Sequence, residues 1–114
     1  MFVTYMSLDE VNQYIAARTA ERHGAAMATV ASPAELPATS SGAIVYDLDY
    51  FPAADRREIL DTLTSGRVAD VAVVHSYNLR PNQIRTLRQS GVVVHRRLHP
   101  GWLGRLIRAR ARTI

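Results

Sequence analysis

The chain has 114 residues, of which 47% are hydrophobic, so it is long enough for one domain around a single core. It contains no cysteine, which excludes disulfides, thiolate metal sites and a cysteine nucleophile. No segment approaches the roughly 18 consecutive apolar residues of a membrane span, and the first residues lack the basic and apolar regions of a signal peptide. These features predict a cytoplasmic, bacterial protein without membrane contact.

The charge is distributed unevenly along the chain. All 14 basic residues are arginines, and the formal net charge is +4. Residues 1–61 contain nine acids and four arginines, whereas residues 62–114 contain one acid and ten arginines. An acidic region followed by a basic one indicates two surfaces with different partners.

The first predicted element is a short β-rich strand at residues 2–6. Ser7, with a glutamate three residues later, has the spacing of a capping box and predicts a helix over residues 8–23. Residues 25–30 are a second apolar strand. The proline-containing residues 32–42 predict a loop, so the second helix is short or absent. The predicted inward stripe of the first helix consists of Leu8, Val11, Ile15 and Ala16.

The rest of the chain alternates strands and helices. The predicted strands are residues 43–46, 68–76 and 92–95, and the predicted helices are residues 53–65, 81–90 and 102–112. Such alternation predicts a parallel sheet covered by helices on both faces. We expect an α/β, flavodoxin-like fold of three layers (α/β/α), with a five-stranded parallel sheet in the order 2-1-3-4-5.

In a sheet of this order, ligands bind at the carboxyl ends of the strands, where strands one and three diverge. Asp47 and Asp49 follow strand three and are either reactive carboxylates or, more commonly, strand-end acids that accept hydrogen bonds from loop N–H groups. The histidines near this edge match no recognised metal-ligand spacing. The other residues at this edge are Ser7, Asp9, His75, Ser76, and Arg97 or His99.

Several features together resemble the receiver domain of bacterial response regulators. They are Asp47 after an apolar strand, the following Phe51-Pro52, the ending His75-Ser76 of strand four, and Gly91 before a short fifth strand. The resemblance spans nearly the whole chain and implies one receiver-like domain over residues 1–114, in a two-component signalling system. In that family an aspartate after strand three accepts a phosphoryl group, and an acidic pair after strand one holds Mg²⁺. A serine or threonine ends strand four, and a lysine ends strand five.

Mapped onto this chain, the resemblance makes Asp47 the candidate phosphoacceptor. Asp49 is a rival, because Pro52 lies one position later than the family pattern would place it. The hydroxyl position falls on Ser76, or on His75 if the register is tighter.

Two parts of the family pattern are missing. Thr4 to Ser7 stand where the acidic pair belongs, and Arg97 or His99 is the nearest substitute for the lysine. Mg²⁺ prefers several oxygen ligands, and a guanidinium binds phosphate in a different geometry from an ammonium. We therefore predict a degenerate, pseudo-receiver-like response regulator module. We predict that it is not an enzyme, carries no cofactor and lacks conventional Mg²⁺-dependent phosphorylation. The alternative is a phosphoacceptor that uses Asp47 with an altered Mg²⁺ site.

The arginines predict a contact surface. In receiver-like domains, the usual contact surface for dimers or output partners consists of the helix before strand five, strand five itself and the last helix. Arginine pairs with carboxylates and phosphates, so we predict an acidic protein partner or a second copy of the chain, with nucleic acid less favoured. A merely solvated basic face is the competing interpretation. We call this surface the arginine face and define it as Arg85, Arg88, Arg96, Arg97, Arg105, Arg108 and Arg112.

Overall fold

A computed structural model describes residues 3–32, 35, 42–65 and 71–111 of the chain. Five strands form one all-parallel sheet in the order β2-β1-β3-β4-β5, which confirms the predicted fold. The predicted start of the fourth strand, residues 68–70, lies outside the described residues. The strands are β1 (Val3–Met6), β2 (Met27–Val30), β3 (Ala43–Asp47), β4 (Val71–His75) and β5 (Val93–His95).

Four helices connect or follow these strands. They are α1 (Glu10–Arg22), α2 (Ala53–Thr64), α3 (Pro81–Gln89) and α4 (Pro100–Ala111). The last helix begins at Pro100, two residues earlier than predicted, because proline suits the first turn of a helix. Between β2 and β3, no helix runs through the described residues, and most of the predicted loop lies outside them. None of the described helices is long and apolar enough to span a membrane.

The sheet has a packed core on each face. Side chains alternate along a strand, so Val45 faces one core and its neighbour Tyr46 faces the other. The core that contains Val45 joins the sheet to α1 and α4, and the core that contains Tyr46 joins it to α2 and α3. Because helices cover both faces, β3 is apolar on consecutive positions up to Asp47.

The inward face of α1 differs from the predicted stripe. Val11 is 65% exposed and Leu8 precedes the helix at 44% exposure, whereas Ala16, Thr19 and Ala20 are buried. These small residues let α1 approach the sheet and α4 closely, and that packing decides the rotation of the helix. The prediction was therefore correct for Ala16 and wrong for Leu8 and Val11.

Asp9, and not Ser7, caps the N-terminus of α1. The Asp9 carboxylate accepts a hydrogen bond from the Asn12 backbone N–H at 3.0 Å. Ser7 is fully buried, and its hydroxyl accepts a hydrogen bond from the Asp9 N–H at 3.0 Å. Because Asp9 is the cap, the Ser7 hydroxyl can donate a hydrogen bond to Asp47 on the neighbouring strand β3.

Candidate functional site

The register of the sheet places a row of polar side chains at its carboxyl edge. Asp47 is paired with His75, and His75 is paired with His95. Ser7 directly follows β1, beside Asp47. Paired residues of neighbouring strands point to the same face, so this row continues the core under α1 and α4.

Asp47 is held inside this row. Its side chain is only 1% exposed, and its Oδ2 atom accepts hydrogen bonds from Ser7 Oγ at 2.7 Å and Asn12 Nδ2 at 3.0 Å. Its Oδ1 atom accepts no hydrogen bond from a described residue and lies 3.8 Å from His75 Nδ1. The candidate phosphoacceptor thus ties the β1–α1 loop to β3 from a buried position.

Tyr5 and His75 form the second part of the row. Tyr5 Oη lies 2.7 Å from His75 Nε2, and the two rings stack with centroids 5.7 Å apart. Burial lowers the pKa of His75, although the nearby Asp47 carboxylate opposes this change. Burial, with a further contribution from Asp47, raises the pKa of the Tyr5 phenol. Both rings are therefore uncharged near neutral pH.

The row ends at the pair of His95 and Trp102. Their rings stack at 4.3 Å, and the Trp102 indole N–H donates to the Arg97 carbonyl oxygen at 2.9 Å. Partial burial lowers the pKa of His95, and so do the positive charges of Arg105 and Arg88. These contacts fasten the start of α4 to the edge strand β5.

We expect the folded protein to lose stability as the pH falls below about 6.5, the pKa of histidine in an unfolded chain. The pKa values of His75 and His95 are lowered by folding, so in this range the unfolded chain binds protons that the folded chain does not. Urea denaturation at pH values from about 7.5 to about 5 measures this loss, to which the buried His75 contributes more than the partly exposed His95. His75→Gln, which removes the buried imidazole, should flatten the dependence. A stability that is constant or rises towards pH 5 would contradict the assignment.

Asp49, in the loop after β3, also accepts several hydrogen bonds, all from residues that follow β4. Its carboxylate accepts hydrogen bonds from the Ser76 hydroxyl, from the Tyr77 backbone N–H at 3.0 Å and from Asn78 Nδ2 at 3.2 Å. The loop after β3 is thereby bound to the loop after β4. Ser76, the predicted hydroxyl position, thus contacts Asp49 and not Asp47.

The predicted edge residues therefore separate into two groups. Asp47 lies with Ser7 and His75, Asp49 lies with Ser76, and Arg97 is exposed on the far side of β4 with no ion pair to a described residue. Tyr5 and Asn12 were not predicted as part of this site. Tyr5 carried a usable signal, because it lies two residues before Ser7 and therefore on the same face of the chain.

The side chains around Asp47 do not fit Mg²⁺. That ion prefers near-octahedral coordination by oxygen atoms, including one or two carboxylates. Asp47 Oδ2 is already bonded to two donors, and the groups that contact the carboxylate are a hydroxyl, an amide nitrogen and an imidazole. Within the described residues, no three histidines or acids come together in a way that could hold a metal.

Arginines of the arginine face approach the edge strand β5 from both α3 and α4. Arg88 on α3 and Arg105 on α4 both act on the pKa of His95, so the helices of both layers bring arginines towards β5. Among the described residues, none of the arginines of this face makes an ion pair; the described arginine pair is Arg18 with Glu21 on α1. Arg112 lies outside the described residues. The exposed arginines are Arg85, Arg88, Arg96, Arg97, Arg105 and Arg108.

No protein-family model and no curated protein matches the chain. The resemblance to receiver domains therefore stays a prediction that rests on the quoted residues and is compatible with the fold.

Proposed function

We propose that this protein is a pseudo-receiver, a cytoplasmic signalling module that binds an acidic protein partner through its arginine face. It works without Mg²⁺-dependent phosphorylation of Asp47. The order of the sheet and the position of Asp47 at the end of β3 support the comparison with receiver domains.

The observation that carries this proposal is the burial of Asp47. Transfer of a phosphoryl group requires the phosphodonor to reach a carboxylate oxygen, and the charge that builds up requires a cation beside it. Asp47 is 1% exposed, and one of its oxygens is already bonded to Ser7 and Asn12. The other oxygen, Oδ1, has no hydrogen-bond partner among the described residues but is buried as well, so a phosphodonor could reach it only if the surrounding residues moved.

The unpaired arginines favour a partner with carboxylates. A guanidinium is weakly hydrated and forms two parallel hydrogen bonds with a carboxylate, so it recognises acidic side chains well. Binding of single-stranded nucleic acid would also use exposed aromatic rings between the arginines. Trp102 is instead stacked on His95, and the exposed Tyr50 and Tyr77 lie beside the acidic Asp49.

The absence of a phosphate switch can be tested by amide NMR with Mg²⁺ and then with Mg²⁺ plus beryllofluoride, which mimics an aspartyl phosphate. We expect the two spectra to be the same as that of the free protein. Shifts centred on Asp47 that spread to the arginine face would contradict the proposal and favour a working phosphoacceptor. Shifts centred on Asp49 would contradict it as well.

Partner binding can be tested by titration with a poly-glutamate peptide at low salt. We expect shifts on the arginine face. Arg88→Glu combined with Arg105→Glu should weaken binding roughly thirtyfold, if each exposed pair contributes about 1 kcal/mol. Arg18→Glu is the matched control, because Arg18 is already paired with Glu21 on a different surface. Tighter binding to duplex DNA than to the peptide, with affinity falling steeply as salt rises, would favour the nucleic-acid alternative.

A further inference from the structure

A cleft lies between α2 and α3, on the face of the sheet opposite α1 and α4. Its volume is about 610 Å³, within the range of about 300–1,000 Å³ for small-molecule sites. Four leucines contribute to its wall, of which Leu48 and Leu87 are fully buried. These four are Leu48, Leu60, Leu79 and Leu87.

Three arginines line this cleft, together with one acid, Asp61. Arg56 ends the first turn of α2, which also contains Asp55, Arg57 begins the second turn, and Arg80 directly precedes α3. None of the three makes an ion pair within the described part of the chain. Both helices follow parallel strands, so their N-termini, which carry partial positive charge, lie at the same end of the cleft.

Two amide side chains add hydrogen-bond donors to the cleft. Asn82 Oδ1 accepts the Gln83 backbone N–H at 3.0 Å, and Gln83 Oε1 accepts the Arg80 backbone N–H at 2.8 Å. The acceptor atoms of both amides are therefore used locally. Their NH₂ groups donate to no described residue, so they remain available to a ligand.

We propose that this cleft binds a nucleoside phosphate. Arg56, Arg57 and Arg80 would hold the phosphate groups, and the partly exposed Leu60 and Leu79 would pack against the flat base. Asp61 lies five residues after Arg56, about 8 Å along the helix axis, where it can accept a hydrogen bond from a ribose hydroxyl or a base amino group. This site does not depend on the proposed function of the arginine face.

The cleft lies away from the usual ligand position of such sheets. In this fold, ligands commonly bind where β1 and β3 diverge. Here that point is filled by the hydrogen bonds from Ser7 and Asn12 to Asp47. The cleft opens one strand further along the same edge, beside Leu48 and Ser76.

The test is an amide NMR titration of the intact chain with ATP, GTP, CTP and UTP, without added metal. We expect saturable shifts for at least one of them, centred on Arg56, Asn78, Arg80 and Asn82. Arg56→Gln and Arg80→Gln should each weaken binding about tenfold, the effect of losing one hydrogen bond to a charged group. Arg22→Gln is the matched control, since Arg22 is exposed on α1, does not line this cleft and is not part of the arginine face.

Three outcomes would overturn the proposal. The first is the absence of saturable shifts with all four nucleotides at millimolar concentration. The second is unchanged affinity of Arg56→Gln and Arg80→Gln in variants whose free spectra show an intact fold. The third is pyrophosphate binding as tightly as the nucleotides, because the leucines and Asp61 would then have no part in recognition.

Discussion

Replacement of Asp47 with alanine is expected to lower the free energy of unfolding by about 3 kcal/mol. The substitution removes the acceptor of one buried and one partly buried hydrogen bond and leaves the buried Ser7 hydroxyl without that partner. It also removes the buried group that faces His75 at 3.8 Å. Unsatisfied buried polar groups are costly because water cannot replace the lost partner.

Urea denaturation of the wild-type protein and the variant measures this loss directly. Glu58→Ala is the matched control, because it removes an exposed acid of α2 and should change the stability by less than about 0.5 kcal/mol. An Asp47→Ala variant that is as stable as the wild type would mean that the carboxylate is not needed for the fold. The case for Asp47 as a reactive group would then become stronger.

Leu103→Ala is expected to destabilise the protein by about 3 kcal/mol, within the usual range for a buried leucine. Leu103 is 0% exposed and belongs to the core that includes Ala16, Ala20 and Ile107. The small alanines of α1 bring the two helices close together, so they cannot easily move inwards to fill the space left by the removed atoms. The resulting cavity adds to the lost burial of apolar surface.

Leu106→Ala on the same helix provides the comparison. Leu106 is only partly buried against this core, so its replacement should cost about 1 kcal/mol. Chemical denaturation compares the two variants under the same conditions. Equal losses for both would contradict the packing of α4 described above, and with it the position of Arg105 and Arg108.

The fold could be predicted because residues within or directly beside a helix or strand indicate that element. The apolar run that ends at Asp47 is continuous, as expected for a strand covered on both faces. Gly24 and Gly91 follow α1 and α3 with positive φ angles, where glycine is the residue that most readily adopts this conformation. Each of these signals lies within a few residues of the element that it defines.

The contacts of the site depend on packing, which such local signals do not contain. The sequence placed Asp47, Asp49 and Ser76 at one edge, yet it did not show that Asp49 takes the Ser76 hydroxyl. That choice depends on how the loops after β3 and β4 meet in space. The rotation of α1, which exposes Val11, likewise follows from its contact with α4 and not from its own hydrophobic pattern.

The short edge strand β5 limits how a partner can bind. It has three residues, Val93–His95, and is followed directly by Arg96 and Arg97. So short an edge offers few free backbone groups for another strand to pair with. Recognition at this edge must therefore come from side chains, and the partner's backbone is free to be a helix, a loop or an unstructured tail. For the acidic partner that we propose, the spacing of its carboxylates would then decide recognition.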